Sequence, residues 1–290
     1  MWISDQWKDY KVLDLSGGEK LEDWKEYRLI RPDPQVIWNE KEHPALWKTA
    51  HAAYHRKNTG GGSWEVRKNL PDKWTIHFEP LDLTFNIKPM GFKHTGLFPE
   101  QAVNWVWFAD LIRKANRPIK VLNLFAYTGG ATVAAASAGA SVVHVDSSKG
   151  MVTWAKENLH LSGLGDRPVR FIVDDVIKFV EREARRGNVY DGIIMDPPSY
   201  GRGPGGEVWK LEEQLYPLVE RCMKIFSDNP LFFLINSYTT GLQPMVLADI
   251  LKLKVAKKYK GTVASEEIGL PVENSDLLLP CGASGRWWAV

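Results

Sequence analysis

Asp146, the pair Asp174-Asp175, and Asp196 each follow a short apolar run, while an earlier run ends on Tyr127-Thr128-Gly129-Gly130. Carboxylates accept hydrogen bonds and repel phosphate. Together they suit a ligand with hydroxyls, amines and a positive charge, and they argue against ATP and against a pyrophosphate dinucleotide. The first turn agrees. Phe125-Ala126-Tyr127-Thr128-Gly129-Gly130-Ala131 has no GxGxxG to seat a pyrophosphate on a helix N-terminus, and no Walker lysine. Asp146 is placed to accept from both hydroxyls of a ribose, or to cap the helix that begins near Ser147. One acid of Asp174-Asp175 can accept from an adenine amine while Val176 packs on the ring; an N-cap is the competing role for one of the pair.

Asp196-Pro197-Pro198-Ser199-Tyr200 is the sharpest signal. Two prolines remove two backbone donors and stiffen the chain. Carbonyls near Asp196 are then open to a substrate amine or ring nitrogen, and Tyr200 can stack on a base. The plain alternative is a rigid strand-to-loop turn.

These residues need elements to hold them. Residues 121–125 read as a buried strand, 131–138 as an alanine-rich helix, and 141–145 as a second strand. That is one βαβ unit. Helix 148–161 follows, with Ser147 or Ser148 as N-cap, then strand 169–173, helix 176–187 and strand 190–195. A glycine-rich loop at 201–206 leads to helix 208–226, strand 231–235 and helix 239–253, and the tail reads as closing strands at 257–264, 276–279 and 285–290. Alternation at this spacing predicts an α/β, doubly wound sheet. In such a sheet ligands lie beyond the carboxyl ends of the strands, where the acids fall.

Residues 1–97 differ. Short strands are expected at 7–15, 26–31, 35–38, 74–78 and 81–87, giving a small β-rich subdomain, with residues 98–290 forming the second domain. The cationic loop at 55–62 is either a solvated linker or a substrate loop. Pro99 opens a helix that Asn116-Arg117-Pro118 ends. A net charge of +2 advertises no strongly basic tail. The two cysteines, Cys222 and Cys281, form no ligand spacing, so neither a structural zinc nor a disulfide framework is expected. No apolar run reaches spanning length, and the N-terminus lacks a signal-peptide core, so a cytoplasmic setting is expected.

Taken in order, VLNLFAYTGG, VVHVDSS, KENLHLSGL, VDDVIKFV and IIMDPPSY resemble class I S-adenosylmethionine-dependent methyltransferases. More narrowly they are similar to a bacterial group related to large-subunit rRNA methyltransferases, with GLFPEQ at 96–101 as that group's helix entry. The resemblance covers roughly residue 92 to the C-terminus. It implies a Rossmann-like methyltransferase sheet and S-adenosyl-L-methionine as methyl donor. It also implies that Phe125, Tyr127, Thr128 and Gly129 lie near the donor's methionine part, Asp146 and Ser147 at the ribose, and Asp174, Asp175 and Val176 at adenine. Asp196, Pro197, Pro198 and Tyr200 are implied near the methyl group and acceptor, and Gln101 and Asn158 match positions near the donor. The positions where related cytosine-C5 enzymes hold a nucleophilic cysteine carry Pro197-Pro198-Ser199 and Asn236-Ser237-Tyr238 here, so direct transfer to a nitrogen fits better than covalent catalysis. RNA, probed by Tyr200, Arg202 and the 55–57 segment, is the expected substrate. A protein or small-molecule acceptor, or a non-catalytic RNA-binding protein of the same fold, are the rivals.

Overall fold

The structure is a computed structural model that describes residues 1–57, 61–202 and 208–290, with Arg202 described through its backbone alone. The chain divides into two compact units. One comprises Ile3–Ala102 and Gly269–Cys281; the other comprises Met1–Trp2, Val103–Ile268 and Gly282–Val290.

After β1 (Trp2–Ile3), the first unit builds a five-stranded sheet from β2 (Tyr10–Ser16), β3 (Glu19–Trp24), β4 (Tyr27–Pro32), β5 (Ala52–Arg56) and β6 (Gly62–Val66), in that order. The short helix α1 (Pro44–Trp47) precedes β5, and β7 (Trp74–Phe78) pairs with β8 (Leu83–Ile87). Leu13, Leu21, Ile30, Trp47 and Ala53 form an apolar cluster in this unit. Three expectations change here. The strand expected at 35–38 is irregular chain, tied to the β2–β3 turn by bonds from the N–H groups of Gly17 and Gly18 to the carbonyls of Trp38 and Val36. The charged segment β3 is a strand because its Glu22 is buried against a partner. Glu22 accepts from Arg31 Nε at 2.6 Å and Nη2 at 2.8 Å, and from Tyr10 Oη at 2.6 Å. The loop expected at 55–62 is the β5–β6 hairpin, of which residues 58–60 lie outside the described residues.

The second unit carries α2 (Ala102–Lys114), β9 (Lys120–Leu124), α3 (Gly130–Ser137), β10 (Ser141–Asp146), α4 (Lys149–Leu161), β11 (Val169–Val173), α5 (Val176–Arg186) and β12 (Gly192–Met195). It continues with β13 (Tyr200–Arg202), β14 (Val208–Lys210), α6 (Leu211–Cys222), β15 (Phe232–Ser237), α7 (Pro244–Leu251) and most of β16 (Gly261–Pro271) and β17 (Leu278–Ala289). The helix expected from residue 208 begins only at Leu211, because residues 208–210 alternate exposed, buried, exposed and pair with β13. The closing strands are two, not three.

The eight strands of the main sheet run in the order β1-β16-β17-β15-β12-β9-β10-β11. The β9, β10, β11, β12 and β15 pairs are parallel and β17 lies antiparallel to β15, so the sheet is mixed. The chain runs outward from β9 through β10 and β11, then returns to β12 on the other side of β9. This is the topological switch point. Alternation along β10 covers both faces. Val143 and Val145 join the cluster of Phe179, Val180 and Leu218 beneath α5 and α6, while His144 packs on Phe171 at a ring distance of 5.1 Å.

The turn after β9 explains its glycine. Gly129 has φ +83°, and a Cβ there would lie 2.8 Å from Ala155 Cβ on α4. Gly129→Ala is expected to cost about 2–4 kcal/mol, from left-handed strain and overpacking, and to lower the thermal midpoint by several degrees. Burial alone would raise the Glu22 carboxyl, but Arg31 and Lys20 overcome it and hold it at about 2. Its stabilising share is therefore present above the unfolded carboxyl value and lost as pH falls through about 2. Denaturation midpoints of the intact chain should drop over that window, and Glu22→Gln should flatten the drop.

Candidate functional site

The turn between β9 and α3 is strained where it has no glycine. Phe125 has φ +56° and Tyr127 φ +50°, each costing about 1 kcal/mol in the left-handed region. Such residues persist where neighbours over-determine them, which points to function. Here the Ala126 N–H donates to the Val145 carbonyl at 3.0 Å and the Tyr127 N–H donates to Asp146 Oδ2 at 2.9 Å. The other Asp146 oxygen accepts from the Ser148 N–H at 2.8 Å. Burial raises the Asp146 carboxyl above its ordinary value, and the two backbone donors pull it partly back. A carboxylate has about four lone-pair sites, so each oxygen keeps capacity toward a ligand.

Asp146 lines a cavity of ≈ 430 Å³ with Phe125, Ser147, Asp175 and Val176. Pro198, Gly201 and Trp209 form another part of its wall. The volume lies within the range of small-molecule sites, and the apolar walls with few acceptors match their usual make-up. Asp175 is both lining residue and cap: its Oδ1 accepts from the Lys178 N–H at 2.9 Å at the start of α5. Ser148 Oγ caps α4, which leaves Ser147 on the cavity wall.

Other sequence-marked residues stand behind the wall or away from it. Thr128 and Asn158 are buried, and Asn158 Nδ2 donates to the Thr128 carbonyl at 2.8 Å, tying α4 to the turn. Asp174 is not on the wall; it pairs with Arg182 and accepts from the Asp175 N–H. Gln101 is buried in the other unit. Asp196 follows β12, with its N–H donating to the Leu124 carbonyl at 3.3 Å. Pro197 is buried and Tyr200 is 53% exposed on β13. The Arg202 side chain lies outside the described residues. In the first unit His55 pairs with Glu65 at 2.7 Å, while Arg56 and Lys57 are exposed.

The acceptor turn is less open than the two prolines suggest. The Pro198 carbonyl accepts from Trp209 Nε1 at 2.6 Å, and the Ser199 carbonyl from the Leu211 N–H at 3.1 Å. Trp209 is the largest of the wall residues that sequence reading missed, which also include Lys178, Glu181 and Gln214. Its signal was the alternation of Val208-Trp209-Lys210, hidden by the glycine-rich stretch before it. Among the described residues no cluster of three or more His, Cys, Asp and Glu is placed to hold a metal ion, and no helix is long and apolar enough to cross a membrane.

A family model described as S-adenosylmethionine-dependent methyltransferase matches residues 53–222, more than half of the chain. The chain belongs to this family. A crystal structure of the SAM-dependent methyltransferase from Agrobacterium tumefaciens is 36% identical, with TM-score 0.91 over 98% of this chain and 91% of that one. A methyltransferase structure complexed with SAH shares the fold at 19% identity and TM-score 0.71, covering 97% of this chain and 76% of that one. Among curated relatives, the ribosomal RNA large subunit methyltransferase K/L of Shewanella frigidimarina is 33% identical over 170 residues, 58% of this chain and 23% of that protein. The Hahella chejuensis protein of the same name is 26% identical over 237 residues, 75% of this chain and 32% of that protein. The chain thus spans a quarter to a third of the length of these relatives.

The cofactor of this family is S-adenosylmethionine, and the cavity fits it: carboxylates for hydroxyls and an amine, apolar walls for a purine, and, among the described lining residues, one cation, Lys178, rather than a cluster for phosphate. S-adenosylhomocysteine at 100 times its Kd should stabilise the chain by about 2.7 kcal/mol, read as a higher thermal midpoint. Asp146→Ala should remove most of that rise; an undiminished rise would take Asp146 out of the binding site.

Proposed function

We propose that the chain transfers the methyl group of S-adenosylmethionine to a base nitrogen of ribosomal RNA. The observation that carries this reading is a shared wall: Pro198 and Gly201, beside the Asp196 turn, line the same cavity as Asp146 and Asp175. A donor in that cavity meets the acceptor turn at one end. The names of the curated relatives favour RNA as the acceptor class.

Asp146 would hold the ribose hydroxyls with its remaining lone pairs, Asp175 and Val176 the adenine, and the turn from Phe125 to Gly129 the methionine part. The bound donor supplies an activated methyl on a sulfonium, so the chain's task is alignment and exclusion of water. Asp196 and the Pro197 carbonyl would accept from the acceptor nitrogen's protons and aim its lone pair. Tyr200, exposed on β13, would stack on an extruded base. We assign substrate recognition to the first unit, where Arg56 and Lys57 would meet phosphates, and a ribosomal substrate puts the reaction in the cytoplasm. Covalent catalysis by cysteine has no support: Cys222 is buried in α6, and burial raises the thiols of both Cys222 and Cys281.

Labelled donor, incubated with total RNA and total protein from a strain lacking the gene, should mark RNA. Label in protein alone would move the acceptor class. Asp196→Ala should lower kcat by at least about 10³-fold while leaving S-adenosylhomocysteine affinity nearly unchanged, a loss confined to the transition state. Full activity in that variant would clear Asp196 of any part in the chemistry.

A further inference from the structure

The geometry points to Trp209 as a positioning residue that fixes the acceptor turn against the donor cavity. The inference rests on the reading above, in which the cavity takes the donor and the Asp196 turn meets the acceptor. Trp209 lies on β14 opposite Gly201 of β13. Both line the cavity, and their register neighbours Tyr200 and Lys210 are exposed. The β13–β14 pair thus turns Gly201 and Trp209 toward the donor cavity, with Val208 also on its wall.

The buried indole makes two contacts of different kinds. Its ring packs on Phe125 with centroids 4.9 Å apart and an interplanar angle of 59°. Its Nε1–H donates to the Pro198 carbonyl at 2.6 Å. Phe125 belongs to the turn after β9 and Pro198 to the turn after β12, the two strands at the switch point. One rigid plate therefore spans both turns. Pro197 and Pro198 have no N–H, so they cannot be tied down by their own backbone donors. The indole supplies a donor from outside. It also occupies one of the two lone pairs of the Pro198 carbonyl, which weakens that oxygen as an acceptor relative to the Asp196 side chain for the incoming nitrogen.

Trp209→Phe keeps a ring against Phe125 and deletes the donor. With total RNA from the deletion strain as acceptor, kcat should fall about tenfold or more, as expected when the carbonyl that anchors the acceptor turn loses its partner. KM for RNA and S-adenosylhomocysteine affinity by calorimetry should stay within about twofold. Trp209→Ala should weaken both donor binding and turnover. A second readout needs no turnover. Of the 13 tryptophan indole N–H signals in a nitrogen-15 spectrum, the one missing in Trp209→Phe identifies Trp209. In the wild type it should exchange slowly with solvent and shift when S-adenosylhomocysteine is added. Full kcat in Trp209→Phe, or equal loss of donor affinity in the Phe and Ala variants, overturns the inference. If the wild type methylates no RNA, the functional reading fails, and the indole signal still decides this one: fast exchange, or no response to S-adenosylhomocysteine, rejects it.

Discussion

The ligand edge depends on one carboxylate holding one strained turn. Phe125 and Tyr127 sit in the left-handed region without being glycine, which alone favours another turn geometry. Asp146 opposes this by accepting the Tyr127 N–H, a charge-assisted bond from the end of the neighbouring strand. Register makes that possible: Val145 of β10 pairs with Leu124 of β9, so Asp146 emerges beside the residues that follow Leu124. The same carboxylate fixes the entry of α4 through Ser148. Its burial raises the cost of the charge, and the backbone donors offset part of it.

Local and ligand roles of the strand-end acids do not exclude one another. A carboxylate has more lone pairs than a cap consumes. Asp146 spends one site on each oxygen inside the fold, and Asp175 spends one on the Lys178 N–H, yet both line the cavity. Capping then serves as preparation: it locks the side chain's rotamer before any ligand arrives, so little ordering entropy is left to lose on binding. Asp174 shows the contrast. It pairs with Arg182 and stays off the wall.

The parallel strands and their helices were legible because a buried strand and an amphipathic helix leave distinct periods in the sequence. The carboxyl-edge acids followed from those periods. Three things were not legible. The strand β3 carries Glu22, whose burial makes sense only once Arg31, seven residues past the strand's end, lies alongside it. The start of α5 at residue 176 was legible, but which of Asp174 and Asp175 faces the cavity was not, because that depends on Arg182, a turn and more along the helix, pairing with Asp174. The β13–β14 hairpin consists of two three-residue strands, too short for alternation to stand out from the stretch between them. Trp209 was hidden with it, although it is the largest side chain on the cavity wall.

The double proline can now be given a physical sense beyond stiffness. A turn without its own N–H groups has to be anchored by others, and here the anchors come from four different elements. The Asp196 N–H reaches the Leu124 carbonyl of β9, and the Pro198 carbonyl takes the indole N–H of β14. The Ser199 carbonyl takes the first N–H of α6, and Ser199 Oγ accepts from Thr239 Oγ1 at 2.7 Å, just beyond β15. A conventional turn would close on itself and move as a loop moves. This one moves only if a strand, a hairpin, a helix and the chain after β15 move with it. In-line methyl transfer needs that property, because alignment of acceptor and methyl within a few tenths of an ångström supplies most of the rate when the electrophile is already activated.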